Sequence, residues 1–394
     1  MRRLLVILVF LIGLNPYNVC ALSIDKEQEG INDELILKQL DSIDTTQLDK
    51  TIKSINREIE NYFPKLNAKK IIISLIKGEE TFSVKDTING VMKYLFKETV
   101  ANSSLLAKLI VLSILCAFLN NLSNAFESDA VAKIAYTVCY LLIIGIAIKS
   151  FSIAITIGID AIDGMVSFMQ ALLPILLTLL MAMGGVTTTA MFQPIMFASV
   201  GITSTLMKDI ILPIIFFSAI LSIVNNLSSK IQVSKLASLL KQIAMVLIGF
   251  TLTIFTGIIT IQGVAASTAD GVTIRTAKFA VERFIPIVGG FVSDAFDTIL
   301  GCSLLLKNSI GVLGLVIIVI IVIMPLLKIL SLILIYKIAA ALIEPITDNE
   351  LIGCLNDMGN SMILLFATVT SVAIMFFLAV TIIIGAGNVT LMMR

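Results

Sequence analysis

Histidine is missing from all 394 residues. That removes His-based metal sites and Ser-His or Cys-His nucleophile pairs. Cysteine is scarce: Cys20, Cys116, Cys139, Cys302 and Cys354, with no CxxC. Most of them sit in apolar runs, so they read as small buried thiols and not as a disulfide framework. Charge is thin as well, at 14% against about 25% in a soluble chain. The net charge of +1 leaves no nucleic-acid footprint. GxxxxGK[ST] does not occur, which excludes a P-loop ATPase, and no other cofactor motif is visible. No catalytic, cofactor-binding or metal-binding residues are assigned, and the chain reads as a non-enzyme.

What is abundant is apolar sequence. Hydrophobic residues make up 58% of the chain and mean hydropathy is +1.03. Several runs reach the roughly 20 residues a spanning helix needs. They are continuous and not alternating, which argues against a β-barrel. The fold class is therefore all-α, a polytopic α-helical membrane protein. Apolar runs near 105–124, 134–157, 165–183, 190–207, 210–226, 243–264, 284–306, 310–336 and 361–385 predict six to nine spans.

Residues 1–21 have the layout of a secretory signal peptide. Arg2 and Arg3 precede an apolar core, and Val19-Cys20-Ala21 offers a cleavage site after Ala21. An uncleaved signal anchor is the alternative. Residues 22–103 are charged, with Leu35, Leu37, Leu40, Ile43, Leu48, Ile52, Ile55 and Ile59 near one helical face. They predict a small helical extracytoplasmic segment, docked on a partner or the membrane face, or else a solvated spacer. Residues 104–394 form the polytopic membrane domain.

The loop NLSSKIQVSKLASLLKQ carries Lys230, Lys235 and Lys241 without an acid, so it is expected in the cytoplasm. GIDAIDG, with Asp160 and Asp163, reads as a short outer turn. Five spans between the N-terminal segment and the lysine loop would satisfy both. Arg275, Lys278 and Arg283 run against the trend, and a re-entrant or interfacial 266–306 segment would relieve that conflict.

A candidate internal repeat relates 165–265 to 278–388. Pro174 and Pro213 are 39 residues apart, as are Pro286 and Pro325, and paired glycines follow the first proline of each block. Two repeats with broken helices frame the central site of many transporters. Chance similarity between apolar stretches is the competing explanation.

The candidate site lies in KFAVERFIPIVGGFVSDAFDTILGCSLLLKN, residues 278–308. Pro286 with Gly289 and Gly290 is expected to break a helix. Asp294 and Asp297 share a helical face, and Lys307 closes the run. Ionisable groups at membrane depth normally face protein or water. Pro325 and Lys328 extend this candidate polar, kinked core. An interfacial helix with its acids in headgroups competes with that reading, and Lys328 reads as snorkelling or paired. Gly184-Gly185, Gly289-Gly290 and Gly385-Ala386-Gly387 are expected to allow close helix approach or a kink. A paired-aspartate protease fits poorly, because the GxGD context is absent.

The 278–308 stretch, then PLLKI, YKIAAALIEPITD and the terminal MFFLAVTIIIGAGN, closely resembles the stage III sporulation protein AE family of endospore-forming bacteria. The resemblance implies an integral membrane subunit of the channel, or feeding tube, that joins mother cell and forespore and supports late forespore gene expression. It implies a place in the mother-cell-derived outer forespore membrane, with the N-terminal segment in the intermembrane space. Implied partners are the other stage III operon proteins, including ring-forming proteins and a secretion-type ATPase, and a forespore membrane partner. A homo-oligomer is compatible with this. Two alternatives stand beside the channel: a secondary transporter housed in the complex, and a non-conducting membrane scaffold. The family brings no catalytic residues with it.

Overall fold

The computed structural model describes residues 46–59, 67–77, 84–125, 130–227, 233–284, 289–346 and 349–392. The leader expected at 1–21 and most of the 22–66 stretch lie outside the described residues. Every regular element among the described residues is helical.

Three short helices come first. In α1 (Thr46–Ile59), Leu48, Ile52 and Ile55 recur at helical spacing and are buried against the body. In α2 (Ala68–Ile76), the Asn67 side chain caps the first turn by accepting from Lys70 N at 3.1 Å. Its Ile71 and Ile72 are buried. With α3 (Val84–Ala101), these helices lie on a long helix of the membrane body, α9 (Gly289–Ile343). The N-terminal segment is thus docked on its own chain and is not a free spacer.

Helix breaks at Asn102, and α4 (Ser103–Ala125) begins the apolar part. There follow α5 (Ala130–Ala182), α6 (Val186–Thr205), a π-helical turn (Leu206–Ile211), α7 (Leu212–Leu227), α8 (Ser234–Phe284), α9, and α10 (Asn349–Met392). Among the described residues, six helical stretches are long and apolar enough to cross a membrane: α4, α5, α6 with α7, α8, α9 and α10. Six is the lower end of the expected range, because neighbouring apolar runs merge. The runs 134–157 and 165–183 are one helix, and 190–207 joins 210–226 through the π turn. That turn sits just ahead of Pro213, which has no N–H to return to the preceding turn. The helix continues through Pro174 and Pro325.

GIDAIDG is therefore no turn; it lies inside α5. Its glycines serve helix packing. A Cβ at Gly158 would touch Leu365 at 3.0 Å, and one at Gly164 would sit 3.6 Å from Ile321. Three spans, not five, separate the N-terminal segment from the lysine loop. The 266–284 stretch is a helical continuation of α8.

Helix α10 is the axis of the body. It packs against α5, α7, α8 and α9, with 61% of its apolar window buried against 17% for α8. Gly263 facing Ile382, Phe255 against Phe376 and Lys241 near Asp357 make α8 and α10 parallel. Gly314 facing Leu172 and Gly164 facing Ile321 make α5 and α9 antiparallel. On its outer side α8 exposes Leu236, Ile243, Val246, Phe250, Ile254 and Ile258, an apolar stripe at helical spacing.

The glycine pair at 184–185 makes the turn between α5 and α6. Gly184 has φ 85°, its N–H bonds Met181 O at 2.9 Å, and Gly185 N–H bonds Leu180 O at 3.0 Å. This is a Schellman closure. Close helix approach, expected of such glycines, is found at Gly311 and Gly314; the side-chain surroundings of Gly289, Gly290 and Gly387 lie outside the described residues. An added Cβ there would come within 2.5 Å of Ile384 and Leu172.

Candidate functional site

The sequence candidates divide into groups. Helix α8 ends at Phe284 and α9 begins at Gly289, so helix is described on both sides of the Pro286 segment. Pro286 itself lies outside the described residues. Gly289 and Gly290 open α9, and the backbone at Asp294 and Asp297 is helical. The side chains of these two aspartates also lie outside the described residues. Along the backbone of α9, positions 294 and 297 lie about 20 and 15 Å from position 307. Lys328 is a further 30 Å or so along α9, one turn past Pro325. Gly289, Gly290, Asp294, Asp297, Lys307, Pro325 and Lys328 thus all belong to α9, spread along its length.

Lys307 is fully enclosed, at 0% exposure. Its Nζ donates to Ile384 O of α10 at 2.8 Å. The approach is tight because Gly311, one turn along α9, faces Ile384. Asn308 Oδ1 and, beside Gly263 on α8, Gln262 Nε2 are buried with no hydrogen-bond partner among the described residues. Buried polar groups thus occur on both α9 and α8 where each packs on the 382–384 stretch of α10. Such groups are costly at membrane depth and mark pathways or ligand sites more often than they mark anchors.

Two further polar constellations escaped the sequence reading. Lys208, in the π turn, forms an ion pair with Asp163 of α5. The wider π geometry and the straight run of α5 set these groups opposite each other. The second lies near the α7–α8 connection. Asn226 Nδ2 donates to Asp357 Oδ2 at 3.2 Å, and Lys241 Nζ lies 3.7 Å from Asp357 Oδ1. Tyr140 OH donates to Asn226 O at 3.0 Å. Lys337 Nζ donates to Asn356 Oδ1 and Asn360 Oδ1 at 3.1 and 2.8 Å. Side chains of α5, α7, α8, α9 and α10 meet at this end of the body. Lys241, expected in a solvated cytoplasmic loop, instead belongs to α8 and to this network. A signal like the one that flagged Asp294 applied to Lys208, a charge between the apolar runs 190–207 and 210–226; Asp357, in the polar stretch ahead of 361–385, gave none.

Cys116, Cys139, Cys302 and Cys354 are free and buried, as small apolar thiols would be. Among the described residues, no three His, Cys, Asp or Glu side chains gather as metal ligands do.

A family model described as stage III sporulation protein AE matches residues 66–387. The chain is also similar to stage III sporulation protein AE of Bacillus subtilis (strain 168), at 40% identity over 353 residues. That alignment covers 90% of this chain and 88% of the relative. No solved structure matches.

Proposed function

This chain belongs to the stage III sporulation protein AE family, and from that premise we propose that it is a non-enzymatic membrane subunit of the channel joining mother cell and forespore. A role in sporulation and a multi-pass helical body come with the family and the fold. The channel, its cargo and its partners are our reading. The observation that carries it is that the family match spans nearly the whole six-helix body and not a fragment of it.

In this reading the chain sits in the outer forespore membrane. Residues 22–103 face the intermembrane space, and leader removal at 1–21 leaves them there. The docked α1, α2 and α3 then offer a rigid surface to the ring-forming proteins, the secretion-type ATPase assembly and a forespore partner. Three spans bring the α7–α8 connection, with its lysines, to the mother-cell cytoplasm. The polar core comprises Pro286, Gly289, Gly290, Asp294, Asp297 and Lys307 toward one end, and Pro325 with Lys328 further along α9.

Deleting the chain from its endospore-forming host tests the reading. Late forespore transcription is expected to stop after engulfment and to return with the wild-type copy. Forespores that express late reporters normally without it would sink the proposal. Conduction is separated from scaffolding by impermeant thiol reagents on cysteines placed through 298–308, in a background without native thiols. Labelling deep in the segment supports a water path; labelling at the ends alone supports a scaffold.

A housed transporter is the second reading, favoured by one feature. Stretches 186–227 and 289–343 both follow or open on a glycine pair, carry Pro213 and Pro325 respectively, and lead through a polar connection into a long final helix. That layout is what supports a repeat of 165–265 in 278–388 in this reading.

A further inference from the structure

A cavity of about 460 Å³ opens where α3, α4, α5 and α9 meet. Three lysines line it from three different spans: Lys108 of α4, Lys149 of α5 and Lys328 of α9. Glu98 is the one carboxylate in the lining. None of the three lysines has an ion-pair partner among the described residues. The formal balance is therefore two positive charges, at a half-open recess where Lys108 and Lys149 are exposed and Lys328 is half-buried.

Scattered lysines on apolar spans usually snorkel to the interface one by one. These differ because three helices bring them to one concave site. Asn102 and Ser150 add polar groups at the same rim, while Ile153, Ile157 and Leu332 form an apolar wall beside it. The cavity lies at the Asn102 break, where the chain enters its first apolar span. That is the level at which a lipid headgroup meets hydrocarbon. Basic recesses between spans at this level suit anionic headgroups.

We propose that this cavity binds a phosphate group, presented by an acidic phospholipid whose acyl chain lies along the Ile153–Leu332 wall. Lysine is a good point-charge partner for phosphate, and an ammonium in a recess gains more from an anion than one in open water. The site is independent of the channel reading and needs only that the helices cross a bilayer.

The test uses the full chain purified in detergent. The probes are phosphatidylglycerol, phosphatidylcholine and glycerol 3-phosphate, with retained lipid measured by native mass spectrometry. Wild-type protein is expected to keep phosphatidylglycerol in preference to phosphatidylcholine. Each of Lys108→Gln, Lys149→Gln and Lys328→Gln is expected to weaken that retention about fivefold, with Lys→Arg preserving it. Glu98→Gln is expected to strengthen retention, a gain that misfolding does not produce. Competition by glycerol 3-phosphate with no preference between the two lipids would assign the site to a free phosphate ester. Equal retention by wild type and the triple Gln variant, or no gain in Glu98→Gln, overturns the proposal.

Discussion

Lys307 carries a fully buried amine whose described partner is a carbonyl, and that asymmetry decides what its removal does. A buried polar group with one hydrogen bond costs stability, and replacing it by an apolar side chain of equal length relieves the cost. Lys307→Met is therefore expected to raise the melting temperature in detergent, read by differential scanning fluorimetry. The late forespore reporter is expected to fall in the same strain. An unchanged reporter would make Lys307 structural. Asp357 is the opposite case, since its carboxylate satisfies Asn226 and faces Lys241. Asp357→Ala is expected to cost about 1–3 kcal/mol by orphaning those groups, measured as a lower melting temperature. Lys307 announces itself in sequence as a charge between two apolar runs; Asp357, in the polar stretch ahead of 361–385, does not. Neither partner does, because Ile384 and Asn226 lie 77 and 131 residues away and carry no signal of their own.

Elements were legible where local chemistry fixes them. Leu48, Ile52 and Ile55 read as one helical face, and α1 buries that face against the body; the break expected at Pro286 lies outside the described residues. The division at 158–164 was misread for a physical reason. Two glycines and two aspartates look like a turn when only neighbours in sequence are considered. In the fold the glycines admit Leu365 and Ile321, and Asp163 meets Lys208, so every reason to break the helix disappears. The 184–185 pair shows the converse. Gly185→Ala would push a Cβ to 2.8 Å from the carbonyl of Leu180, and Gly184→Ala would force alanine into left-handed backbone. Each is expected to lower stability by about 1–2 kcal/mol. Gly249→Ala, with open space around it, is expected to leave the melting temperature nearly unchanged. Equal losses at all three positions would refute the turn as the reason for the pair.

At the scale of the molecule, three crossings precede the lysine-bearing connection and three follow it. The expected arrangement puts the α7–α8 connection in the cytoplasm and the 184–185 turn and the C-terminus outside. Impermeant labelling of single cysteines at Ser229, Thr187 and Asn388 reads this directly. Labelling of Ser229→Cys in intact cells would reverse the whole arrangement. Polytopic class and helical content were plain from hydropathy alone. Span number was not, because a count of apolar windows assumes one window for each crossing.

That assumption fails on length. Helix α5 has 53 residues and α9 has 55, each about 80 Å long. A hydrocarbon core of about 30 Å takes up roughly 26 residues of helix even at a tilt of 40°. About half of each rod must therefore stand clear of lipid, although it is nearly as apolar as the half within. For biosynthesis this creates a problem of choice. An insertion machinery that samples about 20 residues at a time meets two eligible windows in one rod and must release only one to the bilayer. In α5 Asp160 and Asp163 separate the two apolar windows, and in α6–α7 Lys208 and Asp209 separate 190–207 from 210–226.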